Sequence, residues 1–251
     1  KKYTLDELIK DGYDTKLSTF EVLLPALIDN FEKDAQAQEP KFKDLEAPIQ
    51  VLKNWNYYSN VNSVATTLAN EWAFKLNPIL QKVYIDEGEK DQVENMSEFA
   101  KTAGIDDMLP QLREVVQELQ AKFGKWEIPW GDINRFQRPS GDIDLTYDDN
   151  KESLAMGTAS VLWGSLPAFK SSYQNNSKKR YGYNGNSFIC AVEFGPKIKA
   201  KSLLAGGNSG DPNSKHFFDQ AKMYQNAQFK DVLFYKEDVQ KNAEKTYHPG
   251  E

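Results

Sequence analysis

Serine, histidine and aspartate lie close together near the carboxyl end of this sequence. Ser209 stands in a glycine-rich stretch, and His216 and Asp219 follow shortly after it. A serine hydroxyl becomes a nucleophile when a histidine accepts its proton and a carboxylate orients that histidine. One hypothesis is therefore a complete hydrolase that acts through Ser209 or His216.

The spacing around Ser209 favours a structural role instead. The nucleophile elbow of hydrolases has the pattern Gly-x-Ser-x-Gly, whereas Gly210 directly follows Ser209 here. A tight loop uses glycine where the backbone reverses, so we expect Gly207 or Gly210 to have a positive φ angle. His216 would then orient the start of a helix, where a nearby serine or carboxylate accepts hydrogen bonds from backbone N–H groups.

The histidines and acidic residues do not have the spacing of a metal site. His216 and His248 are the only histidines, and a metal site usually needs three or four converging ligands. One acidic run lacks the glycine and distal glutamate of an EF-hand loop, and we interpret it as a solvated loop; its members are Asp142, Asp144, Asp148 and Asp149. The sequence therefore predicts no metal ligand on this chain.

Cysteine and tryptophan are the other residue types that could carry a function. Cys190 is the single cysteine, and its place in an apolar strand pattern predicts a small buried core residue. The five tryptophans could form a platform that stacks on sugars, or they could fill the core. Trp72 lies on an apolar helical stripe, which favours the core. Both interpretations stay open for the others, which are Trp55, Trp126, Trp130 and Trp163.

Composition excludes several classes of protein. A chain of 251 residues with 39% hydrophobic content can bury a sizeable core. The net charge is -6 and the basic residues are spread along the chain, which is not the footprint of a nucleic-acid-binding protein. The longest apolar stretches are far shorter than the roughly 20 residues that a helix needs to cross a bilayer. We therefore expect no nucleic-acid partner and no membrane span.

Before Gly124 the sequence has helical spacing. Residues 4–7 and 18–21 have the form of capping boxes, which predicts that helices begin there. We expect the first helix to reach Gly12 and the second to kink at Pro25. Apolar residues at helical spacing predict three further helices, which are residues 42–52, residues 64–76 with an end at Pro78, and residues 109–123 with Gly124 as a left-handed cap.

After Gly124 the pattern becomes typical of strands and turns. Residues 126–130 and 133–136 are short strand candidates around a turn at Gly131 and Asp132. Residues 187–194 form the clearest strand, and because both of its faces are apolar we expect burial between two layers. Residues 142–185 should contain loops and hairpins, with a turn at residues 182–185. The sequence thus predicts an α+β fold with a helical part, residues 1–124, and a strand-rich part, residues 125–251, that form one fold unit.

Residues 206–224 resemble the carboxy-terminal signature of penicillin acylases and their relatives. In that family a loop of the type Gly-Gln-Ser-Gly is followed by a segment of the type Ser-x-His-(Tyr/Phe)-x-Asp-Gln. The signature residues of this chain are Gly207, Asn208, Ser209, Gly210, His216, Asp219 and Gln220, and Asn208 replaces the usual glutamine. Ser214 and Phe217 match the same segment.

Several other segments are similar to the same family in the same order. Residues 51–56 resemble its Leu-x-x-Trp-Asp element, with Asn56 in place of the acid, and residues 130–135 resemble the Trp-Gly-x-x-x-Arg segment of its homoserine-lactone and aculeacin acylase branch. Residues 187–205 fit the strand that leads into the signature loop. The resemblance implies part of the αββα sandwich of N-terminal-nucleophile hydrolases, with a helical first half and a β-rich second half.

The resemblance also implies an activity that this chain does not carry alone. In the family a serine, threonine or cysteine at a chain terminus attacks an amide carbonyl, and its own α-amino group is the general base. The nucleophile, the oxyanion asparagine and the calcium ligands precede this segment in the family, and Lys1 offers no hydroxyl or thiol. We therefore expect no catalytic residue and no cofactor here, and we expect the isolated chain to be inactive.

The partners follow from the same resemblance. They are the amino-terminal part of the acylase, meaning its α chain and the start of its β chain, and the small N-acyl substrate of the whole enzyme. That substrate would be an acyl-homoserine lactone, a lipopeptide acyl chain or a β-lactam side chain, and the expected location is periplasmic or otherwise extracytoplasmic. The alternative is a non-catalytic binding module for a glycan or a protein, which the 12% aromatic content permits but which does not account for the ordered signature.

Overall fold

The computed structural model describes residues 2–87, 92–140, 146–174, 176–248 and 250. Contacts between residues divide the chain into two compact units. We call them the central unit, Asp14–Gly185, and the terminal unit, which combines Lys1–Tyr13 with Asn186–Glu251.

The helices and strands follow one another in a mostly helical and then a mostly β order. The described helices are α1 (Leu5–Gly12), α2 (Thr19–Ala35), α3 (Glu46–Lys53), α4 (Val64–Glu87), α5 (Gln92–Thr102), α6 (Ile105–Phe123), α7 (Trp130–Ile133), α8 (Ala221–Gln225) and α9 (Lys236–Lys241). The described strands are β1 (Asn134–Phe136), β2 (Leu154–Ala155), β3 (Phe169–Tyr173), β4 (Arg180–Gly185), β5 (Phe188–Glu193), β6 (Lys199–Leu204) and β7 (Lys230–Asp231). The chain is therefore α+β, as predicted, and its described strands all follow Gly124.

The core of the central unit is built from the apolar faces of its helices. The buried positions of α2 recur at helical spacing, and Leu23, Leu24 and Leu27 are fully buried there. Trp72 of α4 is also fully buried, and its indole Nε1–H donates to the carbonyl of Met108 on α6 at 3.1 Å. This bond satisfies the polar group that the indole brings into the core.

A four-stranded sheet in the order β2-β1-β4-β3 completes the central unit. β1 and β4 run parallel, with Asn134 opposite Arg180, and the other two pairs are antiparallel. Arg180 also forms a buried ion pair with Glu71 of α4 at 3.1 Å. Its guanidinium lies 4.4 Å from the centre of the Phe74 ring and donates to the carbonyl of Ser171 at 2.9 Å. The pair thus joins the sheet to a helix of the same unit.

The terminal unit has a three-stranded antiparallel sheet in the order β5-β6-β7. Helix α1 packs on β5, and Lys201 of β6 forms a 2.6 Å ion pair with Asp6 of α1. Helix α8 packs on β6, and Leu203, Ala221 and Tyr224 supply buried apolar groups in this unit. α1 therefore lies on the face of the sheet to which Lys201 points.

Three predictions about the helices are confirmed. Thr4 caps α1 through the predicted box, because its hydroxyl accepts from the backbone of Glu7 and the Glu7 side chain accepts from Thr4. The predicted third helix corresponds to α3 and the 3-10 turn Lys43–Leu45. Helix α6 ends where predicted, and Gly124 has a φ of 80° in the left-handed region.

One predicted capping box and one predicted helix end are wrong. Helix α2 begins after Ser18 as predicted, but Ser18 already has helical backbone angles and its side chain makes no cap bond. The Glu21 carboxylate pairs with Lys16 at 2.8 Å instead. Helix α4 continues through Pro78. Leu80 beyond this proline is still buried in the core, so packing compensates for the one hydrogen bond that proline removes. Helix α5 was not predicted.

The strand predicted at residues 133–136 is confirmed as β1, whereas the strand predicted at residues 126–130 and the turn predicted at residues 182–185 are wrong. Residues 126–129 form no strand and Trp130 begins α7, because Trp130 N donates to Ser63 O at 3.1 Å and Gly131 N donates to Val61 O at 2.8 Å. Residues 182–185 lie in β4 and are not a turn. Gly182 is needed there because a Cβ atom would collide with the ring of Phe169. The expected hairpin in this region exists as β3 and β4.

The strand predicted at residues 187–194 is confirmed as β5, but its burial is not. β5 is an edge strand with only β6 beside it among the described residues, and α1 covers one of its faces. On the other face Phe188 is 60% exposed and Val192 is 38% exposed. Cys190 is exposed and not a core residue.

Candidate functional site

The signature residues form one loop between β6 and α8 in the terminal unit. Two backbone bonds close this loop, because Ser209 N donates to His216 O at 3.1 Å and Gln220 N donates to Gly206 O at 2.9 Å. The loop therefore returns the chain from the end of a strand to the start of a helix. Helix α8 begins at Ala221, directly after Gln220.

The glycines of the loop do not have the predicted backbone angle. Gly207 and Gly210 are not among the glycines with positive φ, so that prediction is wrong. Gly207 instead lies against the carbonyl oxygen of His216, and a Cβ atom at this position would be 2.7 Å from Asp219 Oδ1. Nothing lies within 4 Å of the corresponding position at Gly210. Close approach of the backbone, and not backbone strain, therefore requires glycine at position 207.

Gln220 connects the loop to the sheet through its side chain. Its Oε1 accepts from the backbone N–H of Leu204 at 3.2 Å, and its Nε2 donates to Asn208 Oδ1 at 3.3 Å. The residue is only 6% exposed. Because a buried amide must satisfy both its donor and its acceptor, these two bonds fix the position of Asn208 relative to the end of β6.

The serines and the histidine of the signature do not form a catalytic arrangement. His216 Nδ1 lies 2.7 Å from Asp219 Oδ2, in a pair that is partly exposed. The hydroxyl of Ser209 accepts from Asp211 N at 3.1 Å, and the hydroxyl of Ser214 accepts from His216 N at 3.2 Å. In this described loop neither hydroxyl hydrogen-bonds to the imidazole, so the contact between nucleophile and base is missing. The geometry supports a structural role.

The other family-like segments also use their polar groups for local structure. Trp55 Nε1 donates to Tyr58 O at 3.0 Å, and Asn56 Oδ1 accepts from Tyr58 N at 3.1 Å, so Asn56 closes a tight turn. Arg135 donates to Gly131 O at 2.8 Å and to Ser153 Oγ at 2.9 Å. These bonds link β1 to α7 and to the residue that precedes β2.

Asn134 is a buried polar residue that the sequence analysis did not single out. Its Nδ2 donates to Met156 O at 2.9 Å and to Thr158 O at 2.8 Å, and its Oδ1 accepts from the Ser171 hydroxyl at 2.7 Å. All three partners are far away in sequence, so a local pattern gives no signal for this network. Asn134 of β1 therefore has a structural role, because its side chain connects β1 to β3 and to the segment that follows β2.

The remaining sequence candidates that lie among the described residues do not form a ligand site. No group of three metal-binding side chains occurs in the part of the chain that the structure describes. Asp142 and Asp144 lie outside the described residues, whereas Asp149 accepts hydrogen bonds from Lys178 N at 2.7 Å and Tyr181 OH at 3.0 Å. His248 is exposed. Calcium therefore has no candidate ligand set among the described residues.

The tryptophans form no sugar-stacking platform. Trp55, Trp72, Trp130 and Trp163 are buried, and the partly buried Trp126 packs against the same core.

The central unit has two cavities that no signature residue lines. One cavity, of about 510 Å³, lies between α2 and α5, and the other, of about 140 Å³, lies beside Leu162 and Phe169.

None of the described helices is both long enough and apolar enough to cross a membrane.

The chain is similar to known proteins both in sequence and in structure. The model of the penicillin amidase family matches residues 1–241. A solved structure of thermostable penicillin G acylase from Alcaligenes faecalis, in orthorhombic form, is similar at 15% sequence identity with a TM-score of 0.48. That match covers 98% of this chain and 49% of the solved chain, so this chain spans about half the length of the acylase it matches. Since the family model covers nearly all of the sequence, the chain belongs to the penicillin amidase family.

Proposed function

We propose that this chain is the carboxy-terminal part of the β chain of a penicillin-acylase-like amidohydrolase and that it serves as scaffold. The observation that carries this proposal is the family match over residues 1–241. The geometry of the signature loop supports the scaffold role. The hydroxyls of Ser209 and Ser214 accept from backbone N–H groups of the loop, the Asp219 carboxylate bonds to His216, and the Gln220 amide bonds to Asn208 and to the backbone of β6.

The whole enzyme would hydrolyse an N-acyl amide bond. A hydroxyl or thiol group at a chain terminus, on a portion other than this chain, would attack the carbonyl carbon, and its α-amino group would accept the proton. That amine suits the task because its ordinary pKa is about 7.7 to 8.0, close to the working pH. Calcium ligands would also lie on that portion, and the enzyme would work outside the cytoplasm.

This chain would hold the catalytic portion in place and could supply part of the pocket wall. Its strands would join strands of the other portion in the αββα sandwich. A scaffold of this kind is useful because a nucleophile and its oxyanion donors must be held within a fraction of an ångström of the productive geometry.

The test compares the whole encoded protein with residues 1–251 alone. Chromogenic N-acyl anilides of increasing acyl length, and acyl-homoserine lactones, are the substrates. We expect turnover by the whole protein, no turnover by the isolated chain, and an unchanged kcat when Ser209→Ala is introduced into the whole protein. Turnover by the isolated chain that Ser209→Ala abolishes would overturn the proposal, because it would show that the nucleophile lies in the signature loop.

A further inference from the structure

Among the described residues, β6 is the strand that pairs with β5, and the backbone groups on the outer edge of β5 make no bond to another described strand. Ser187 and Ala205 form a hydrogen-bonded pair, since Ala205 N donates to Ser187 O at 3.0 Å. Hydrogen-bonded and non-hydrogen-bonded pairs alternate along an antiparallel ladder. The backbone groups of Phe188, Cys190 and Val192, opposite Leu204, Ser202 and Ala200 in the register, therefore point away from β6.

Two bonds on the far side of β6 support this assignment. Ala200 O accepts from Val232 N at 2.8 Å, and Leu204 N donates to Gln220 Oε1 at 3.2 Å. Ala200 and Leu204 thus turn their backbone groups away from β5. Their opposite residues on β5 must turn theirs away from β6, towards the open edge.

The side chains of the same residues form an apolar face. Phe188, Cys190 and Val192 alternate with residues that share the α1 side of the sheet, so they point to the opposite side. Phe188 is 60% exposed, and Phe194, which follows β5, is 84% exposed. An open edge and an exposed apolar face on one strand are what an added strand recognises.

We infer that the β5 edge binds an extended, alternately apolar strand from the amino-terminal portion of the enzyme. This inference rests on the proposed function, because it takes that portion as the partner. The β5 residues of this face, Phe188, Cys190 and Val192, carry no charge, so the partner strand should place apolar side chains against them. A strand added to a sheet also has a fixed register, and a fixed register is what a catalytic portion needs in order to hold its nucleophile in place.

Cys190 is a natural reporter for this contact. It is exposed, it is the only cysteine among residues 1–251, and it lies in the middle of the proposed contact. A maleimide can react with its thiol only when the face is open. We expect rapid labelling of Cys190 in the isolated chain and labelling at least about tenfold slower in the whole protein, measured by mass spectrometry of the Cys190 peptide.

Three variants separate loss of docking from loss of folding. Phe188→Ser in the whole protein should restore Cys190 labelling, whereas Phe234→Ser, a change at a phenylalanine that is 65% exposed elsewhere in the same unit, should not. Val192→Pro removes an outward N–H group and should act like Phe188→Ser, because proline is tolerated where the N–H of an edge strand faces outward. Circular dichroism of the isolated variants should match that of the unaltered chain.

The outcomes distinguish the inference from the proposed function. Equal labelling of Cys190 in the isolated chain and the whole protein overturns the inference, even if the whole protein hydrolyses amides. Protection in the isolated chain that rises with its concentration also overturns it, since a second copy would then cover the edge. If Cys190 is protected from labelling in a whole protein that hydrolyses no N-acyl amide, the docking contact is supported and the proposed function is refuted.

Discussion

Gly207 lies directly against the backbone carbonyl of His216, so close that a Cβ atom on residue 207 would overlap the carbonyl oxygen. This contact packs the two sides of the signature loop on each other. It accounts for glycine at this position without any unusual backbone angle, and it leads to the first prediction.

Gly207→Ala should lower the free energy of unfolding by about 1 to 3 kcal/mol, because the added methyl group must push the loop apart. Gly210→Ala is the matched control, since nothing lies within 4 Å of that position, and it should change stability by no more than about 0.5 kcal/mol. Urea denaturation of both variants measures the difference. Equal stability of the two variants would show that the loop does not pack in this way.

Replacement of Gln220 should loosen the loop. Gln220→Met removes both side-chain hydrogen bonds and leaves the Leu204 N–H and Asn208 Oδ1 without them, at a cost of about 1 to 3 kcal/mol. Gln220→Glu keeps the acceptor and should have an intermediate effect. Amide hydrogen exchange at Leu204 reports the change directly. Gln228→Met, at an exposed glutamine of the same unit, is the control and should leave this exchange rate unaltered.

The buried ion pair of the central unit should be sensitive to loss of one partner. Arg180→Met leaves the Glu71 carboxylate buried without its cation and should cost on the order of 3 to 5 kcal/mol. The double variant Arg180→Met with Glu71→Leu should cost less than Arg180→Met alone, because no buried charge then remains. Glu237→Gln, in an exposed pair with Lys197, should not shift the unfolding midpoint. A double variant less stable than Arg180→Met would contradict this account.

Alkaline pH should destabilise the terminal unit through Tyr224. Burial raises the pKa of Tyr224 from 10.0 to about 12, because the folded environment disfavours the charged phenolate. The contribution of this group to stability is complete below pH 10 and is lost as the pH rises through about 12. Unfolding free energies measured across this range should therefore fall less steeply in Tyr224→Phe. The exposed control Tyr247→Phe should keep the original slope.

Helix caps and the periodicity of single elements could be predicted from the sequence. The capping box at Thr4 and the left-handed cap at Gly124 could be predicted because each is decided by residues a few positions away. The helical period of α6 and the alternation of β5 belong to the same class. The signature residues were also recognisable as a pattern, although their hydrogen bonds to one another were not.

Tertiary contacts determined the features that the sequence did not predict. Helix α4 continues past Pro78 because the core buries Leu80, and Gly182 is required by the ring of Phe169 on the neighbouring strand. Cys190 is exposed because, in the described part of the chain, β5 is an edge strand that packs on a helix with one face only, and its apolar alternation could not reveal this. A sequence pattern shows which side chains prefer to be buried. The residues that bury them are distant in sequence, so only the tertiary structure determines which residues these are.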